Sequence, residues 1–289
     1  MSEALAFPAA MPGISPSVYG EEDFLAIAAL VRKEAGIVLP AGKAMLVYSR
    51  LAPLVRNSGL GTFSGYIAMI REDAEERRKT ICALTTNHTF FYREEHHFQH
   101  FAEHSRPWIA DLVRHRQEVR LWSAGCSSGE ETWSLVMTLL GADRNEGQQL
   151  TRGDLRVLAS DIDDNVLARA SAATYPAKDL SPVPEGLRNA WAVPDAGGNV
   201  TMAPPARSLV QFRQLNLHGE WPIRRPFQVI FCRNVMIYFD QPAKDKLVER
   251  FAHQLVPGGF LYIGHSERVA GPAEALLEPV GPTIYRRRG

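Results

Sequence analysis

The chain lacks most of the features that announce a function class. It has no surplus charge, since Lys plus Arg and Asp plus Glu each number 32. No global basic field therefore draws it to nucleic acid or an anionic membrane. Cysteine is scarce: Cys82, Cys126 and Cys232 are odd in number and form no C-x-x-C pair. That argues against a disulfide framework and a cysteine zinc site, and no metal is expected. No apolar run approaches the length of a membrane span. A basic n-region and an apolar h-region are both missing from the N-terminus, so the cytoplasm is the expected compartment. What remains is ordinary globular composition, 45% hydrophobic and 22% charged in 289 residues, long enough for about two domains.

Residues 1–18, rich in Ala, Pro and Ser, are expected to be a disordered arm. A helical pattern fills 19–86. Its first helix carries Phe24, Ile27, Ala28 and Val31 on one face and stops at Gly36. Further helices are expected over 43–56, 62–71 and from Asp73 onward, with Pro53 kinking or stopping the second. From Val119 the rhythm changes. VRLWSAGC, DLRVLASD, LVQFRQLN, FQVIFCRN and GGFLYIGH are short apolar runs, and helical segments at 130–140, 163–173 and 241–255 separate several of them. Alternation of this kind implies a parallel doubly wound sheet, whose ligands bind beyond the carboxyl ends of the strands. The interval 173–209 holds six prolines and three glycines and is expected to be an insertion with short strands.

The strand ends describe a nucleoside-type ligand. Ala124 through Gly129 form a small-residue loop before a helix, and Asp161 follows the second strand where an acid can accept from ribose hydroxyls. Asn216 can read an adenine edge. A dinucleotide is disfavoured, because the loop has no G-x-G-x-x-G and Glu130 and Glu131 would repel a diphosphate. A cofactor with a cationic amino-acid tail, S-adenosylmethionine, suits these acids. The plainer reading makes both glutamates dipole-favourable residues of a first helical turn. Between them, Glu130 is the one expected to face the cofactor.

NHTFFYREEHHF (87–98), SAGCSSGEETWS (123–134), ASDIDDNVLARA (159–170), FQVIFCRNVMIYFD (227–240) and PGGFLYIGHSE (257–267) together resemble the CheR-type chemotaxis receptor methyltransferases. The resemblance implies a small all-α domain at 19–86. A Rossmann-like class I methyltransferase domain follows at 87–289, with a small antiparallel β-subdomain inserted near 173–209. It also implies transfer of methyl from S-adenosylmethionine to glutamate carboxylates of chemoreceptor cytoplasmic helices, leaving S-adenosylhomocysteine. Cofactor contacts then fall on Asn87, Thr89, Arg93, Ala124, Glu130, Asp161, Asn216, Leu217, Arg233 and Asn234. Arg93 and Tyr238 stand near the reaction centre. Gly125, His88, Tyr92, Thr132 and Trp133 depart from the family's commoner residues without removing a polar group the chemistry needs.

The segment between Ala35 and Ile70 has no acid but carries Lys43, Arg50 and Arg56. Lys43 and Arg50, seven apart on a helix, form a candidate docking face for an acidic receptor helix, against the plainer reading of a solvated face. His96, His100 and His104 share a helical face, yet no Cys or carboxylate completes a metal set, so they read as packed or solvated. Phe90, Phe91, Phe98 and Phe101 read as packing between the two domains. A monomer is expected. Two rivals stay open: a methyltransferase of another receptor-like signalling protein, and a non-catalytic module that binds the cofactor.

Overall fold

The computed structural model describes residues 14–15 and 17–289, so residues 1–13 and 16 of the expected arm at 1–18 lie outside the described residues. The chain divides into two compact units. One gathers the described residues up to Thr86 together with Tyr238–Asp240, and the other comprises Asn87–Ile237 and Gln241–Gly289.

The first unit is helical. Helix α1, Glu21–Ala35, has three acids in its first turn, where the helix dipole favours them, and Asp23 accepts from the Gly20 N–H at 2.9 Å. Phe24, Ile27, Val31 and Ala35 form its buried stripe, and Gly36 at φ 71 ends it. Helix α2, Ala44–Asn57, continues through Pro53 rather than stopping there. Pro53 is exposed and close to the C-terminus, so water can satisfy the Ser49 carbonyl that loses its donor. Helix α3, Phe63–Glu72, is capped by Thr62, and helix α4, Ala74–Leu84, by Asp73, which accepts from the N–H groups of Glu75 and Glu76. Two short backbone links bring the segment 238–240 into this unit: an antiparallel bridge between Ile37 and Phe239, and a bond from the Val38 N–H to the Tyr238 carbonyl at 2.8 Å.

The second unit is α/β. Strands β1 (Val119–Ala124), β2 (Leu155–Asp161), β3 (Thr174–Pro176), β4 (Ala192–Pro194), β5 (Asn199–Met202), β6 (Val210–Gln214), β7 (Phe227–Cys232), β8 (Leu255–Ile263), β9 (Leu277–Gly281) and β10 (Ile284–Arg287) make two sheets. The large sheet has order β6-β2-β1-β7-β8-β10-β9. Its first five strands pair parallel, and β10 runs antiparallel to both β8 and β9. Every residue of β7 is buried, which is why FQVIFC is apolar at every position but Gln228, whose amide bonds Arg120 and Glu118. Strands β3, β5 and β4 form a separate antiparallel sheet inside the expected insertion. The hairpin β9–β10 gives no apolar run in the sequence. Its Pro279 and Glu278 sit on the outer strand, where such residues protect a sheet edge.

Helices α5 (Glu95–His100) and α6 (Arg106–Arg114) are joined by a π turn, Phe101–Ser105. Here the aromatic expectation is corrected. Phe91, Phe98 and Phe101 belong to the core of the second unit itself, whereas Phe90 is exposed. Phe98 stacks on Phe231 at 5.8 Å, and Phe91 meets Tyr175 edge-on at 5.0 Å. The apolar faces of β7 and β8 require this cover. His97 and His100 serve the same packing, whereas His104 is exposed. His97 is buried with Nε2 2.9 Å from the Thr283 hydroxyl, and His100 meets the Tyr262 hydroxyl at 2.9 Å.

Candidate active site

The chain runs from β1 toward β2 and β6 on one side and returns to β7 and β8 on the other. The crevice of such a sheet opens at the carboxyl ends beside β1. There the loop 125–129 is tightly tethered. The N–H groups of Gly125 and Cys126 both donate to the Ser160 carbonyl, at 2.8 and 2.9 Å. Ser127, at φ 49, donates its N–H to Asp161 at 2.8 Å and its hydroxyl to the Asn87 carbonyl at 3.0 Å. The Tyr175 hydroxyl of β3 donates to the Ser128 carbonyl at 2.7 Å, tying the small sheet to the loop. Gly129, at φ 98, starts helix α7, Glu130–Leu140.

Glu130 and Glu131 are adjacent in sequence but differ in environment. Glu131 is buried, accepts from the Ser123 hydroxyl at 2.8 Å and pairs with Arg233 at 3.2 Å. Glu130 is half-buried and accepts from the Ser128 hydroxyl at 2.8 and 3.1 Å. Burial pushes the carboxyl of Glu130 up, against its own N–H, the Ser128 hydroxyl and Arg169, which favour the ionised form. A cationic ligand group beside it would favour ionisation further.

Asp161 is buried at the end of β2, and each of its oxygens accepts a backbone N–H, from Ser127 at 2.8 Å and Asp163 at 3.1 Å. Burial raises its pKa while those N–H groups oppose the rise. Asn87 donates to Asp163 at 3.2 Å, so Asn87, Ser127, Asp161 and Asp163 form one network. The Leu215 N–H donates to the Asp161 carbonyl at 2.9 Å and brings Asn216 and Leu217 beside it. Asn216 accepts from the His218 N–H at 3.0 Å, and the Leu217 carbonyl accepts from Trp221 and Arg250. Ala124 is buried at the end of β1, and Thr89 is half-buried.

Four of the expected residues, Arg233, Arg50, Tyr238 and Arg93, have partners within the protein. Arg233 is buried, and its guanidinium pairs with Glu131 and with Glu94 at 3.4 Å and donates to the Arg93 carbonyl. Two carboxylates beside it require a cation there. Arg50 donates to the carbonyls of Thr85 and Ala83 and to Thr86, so it serves the end of α4. Of the docking pair only Lys43 is exposed. The Tyr238 hydroxyl donates to the Thr86 carbonyl at 3.3 Å within the first unit. Arg93 donates to the His88 carbonyl at 3.1 Å and lies over Phe90 at 5.7 Å.

Sequence reasoning missed Glu94 and Glu267. Glu94 accepts from Asn234 at 3.3 Å and from the His265 N–H at 3.2 Å, with the His265 ring at 2.9 Å. Burial opposes its ionisation, but Arg233 and the His265 and Asn234 bonds outweigh it and lower its pKa to about 2. Glu267 accepts from the Gly264 N–H at 2.6 Å and the Asn234 N–H at 3.3 Å. The available signal was position: Glu94 follows Arg93 directly, and Glu267 closes the GHSE run.

A two-carboxylate crevice with a small-residue loop, rather than a pyrophosphate cradle, is the chemistry that an S-adenosylmethionine tail requires. Two family models match the chain: the CheR methyltransferase all-alpha domain over residues 22–85, and the CheR methyltransferase SAM binding domain over residues 87–284. A probable chemotaxis protein methyltransferase of Rhizobium etli is 40% identical over 262 residues, covering 89% of this chain and 96% of that protein. Chemotaxis protein methyltransferase 2 of Pseudomonas aeruginosa is 38% identical, covering 92% and 93%. The chemotaxis protein methyltransferase of Escherichia coli is 37% identical, covering 91% and 89%.

Proposed function

The chain belongs to the CheR methyltransferase family, and on that premise we propose how its residues methylate glutamate side chains of chemoreceptors. It is an S-adenosylmethionine-dependent protein-glutamate O-methyltransferase. The observation that carries the residue assignment is the division of labour at the start of α7. Glu131 is committed inward to Arg233, which leaves the half-buried Glu130 for the cofactor's ammonium end. Asp161 would meet the ribose, with Asn216 and Leu217 on the adenine side and Asn87, Thr89, Ala124 and Asn234 around them.

When bound, the cofactor supplies an electrophilic methyl on a sulfonium leaving group. A glutamate carboxylate, with a pKa of about 4.3, is already the nucleophile at neutral pH and needs no general base. The new bond joins carboxylate oxygen to methyl carbon as the carbon–sulfur bond breaks. The products are a methyl ester and S-adenosylhomocysteine, and no proton changes hands. What the protein contributes is in-line alignment and exclusion of water. Arg93 is assigned to orient the substrate carboxylate, its guanidinium leaving the His88 carbonyl for the stronger charged acceptor. Tyr238, whose hydroxyl donates to the Thr86 carbonyl at 3.3 Å, is assigned to shape the methyl channel and takes part in no proton transfer. Among the described residues no helix is long and apolar enough to cross a membrane. The reading places a monomer in the cytoplasm, meeting receptors at their cytoplasmic helices.

The test is transfer of radiolabelled methyl from S-adenosylmethionine to a chemoreceptor cytoplasmic fragment, scored as base-labile ester. The native chain should label the fragment, and Arg93→Ala should lower turnover by about a hundredfold with the melting temperature retained. Absence of ester in the native protein would reject the substrate, and near-normal turnover of Arg93→Ala would reject the role of Arg93.

A further inference from the structure

Arg93 stands between two residues in left-handed backbone, Tyr92 at φ 55 and Glu94 at φ 57. Neither is Gly, Asn or Asp, so both are strained, and such a turn persists only where its surroundings over-determine it. One side is held by α7. The Tyr92 N–H donates to the Ser134 hydroxyl at 3.0 Å, and the Tyr92 and Thr138 hydroxyls meet at 2.6 Å. The other side is held by charge. Arg233 lies 5.5 Å over the Phe98 ring, donates to the Arg93 carbonyl and is flanked by the carboxylates of Glu94 at 3.4 Å and Glu131 at 3.2 Å. The second oxygen of Glu94 gathers Asn234 beyond β7 and His265 beyond β8.

We propose that Arg233, Glu94 and Glu131 form a buried ionic clamp that holds this strained turn and so aims the side chain of Arg93. Arg233 is then a positioning residue that acts from behind the site, and its guanidinium does not touch the cofactor. The inference rests on the methyl-transfer reading above. Charge matters here beyond shape. One guanidinium serves two hydrogen-bond acceptors, Glu131 and the Arg93 carbonyl, and the ion-paired carboxylate of Glu94, so a neutral side chain at 94 leaves Arg233 drawn toward Glu131 alone, releasing the Arg93 carbonyl. Removing Arg233 itself would strand two buried carboxylates and endanger folding, so the carboxylates are the better probes.

The experiment is a double-mutant cycle on the full chain with Glu94→Gln, Arg93→Ala and the pair, measured by methyl transfer to the receptor fragment and by thermal unfolding. Glu94→Gln should lower kcat about tenfold while the KM for the receptor fragment stays within about threefold and the melting temperature moves by only a few degrees. In the Arg93→Ala background the same change should lower kcat less than about twofold, because its effect runs through Arg93. Glu131→Gln should repeat the pattern and decides the matter if Glu94→Gln does not fold. Turnover of Glu94→Gln within about twofold of the native value, or an equal loss with and without Arg93, would overturn the clamp. Near-normal turnover of Arg93→Ala alone would instead mark failure of the underlying reading, since that result is independent of Glu94.

Discussion

Replacing Gly129 by alanine tests how closely the loop is built around its missing side chain. Gly129 has φ 98, and a Cβ there would lie 2.7 Å from the Tyr175 hydroxyl, 2.8 Å from the Ala170 Cβ and 3.0 Å from the Ala170 Cα. The left-handed backbone costs an L-residue about 1–2 kcal/mol. Forcing a methyl against helix backbone adds about 1–3 kcal/mol, since only the Tyr175 ring can move away. If it does, the bond to the Ser128 carbonyl is lost, worth about 1 kcal/mol. The sum, about 3–6 kcal/mol, is a large part of the 5–15 kcal/mol that holds a typical domain. Urea unfolding followed by tryptophan fluorescence should show it, because Trp133 lies one turn away and bonds the Ala170 carbonyl at 3.1 Å. Calorimetry with S-adenosylhomocysteine should show at least about tenfold weaker binding as Ser127 and Ser128 shift. Tyr175→Phe should cost about 1 kcal/mol alone and less than about 0.5 kcal/mol beside Gly129→Ala, because the hydroxyl is the nearest obstacle. Stability of Gly129→Ala within about 0.5 kcal/mol of the native value, or an equal cost of Tyr175→Phe in both backgrounds, would refute the argument.

Glu130→Gln should raise the KM for S-adenosylmethionine about tenfold, the loss of one charge-assisted contact. Because burial raises the pKa of Glu130, acidification neutralises it earlier than an ordinary glutamate, so native cofactor affinity should fall as pH drops while the Gln variant stays flatter. Calorimetry at stepped pH decides, and parallel curves would reject the contact. Lys43→Glu should raise the receptor KM several-fold with the melting temperature unchanged. Arg50→Ala should lower the melting temperature by a few degrees, because the Thr85 and Ala83 carbonyls lose their donor. A stability loss confined to Lys43→Glu would reverse the assignment.

Much of the architecture is legible along the chain because its causes are local. Gly36 stops α1 as the sequence suggests, since a left-handed C-cap needs no tertiary partner. FQVIFC predicts a strand covered on both faces, and β7 is buried throughout. The small antiparallel sheet falls within the proline-rich interval 173–209. The outer hairpin β9–β10 is not legible, because edge strands with proline and charge show little periodicity.

Periodicity, caps and turns act over a few residues, so the central strands, most helices and the residues at the strand ends follow from local sequence. Tertiary structure decided what each side chain at those ends does. Glu130 and Glu131 are equivalent by composition and become distinct only because β7 lies next to β1, which brings Arg233 to Glu131 from 102 residues away. The same adjacency makes Arg233 a buried counter-ion, and the packing of α2 against α4 brings the Arg50 guanidinium to the carbonyls that end α4. Charges are assigned by distance in space, and sheet order sets that distance.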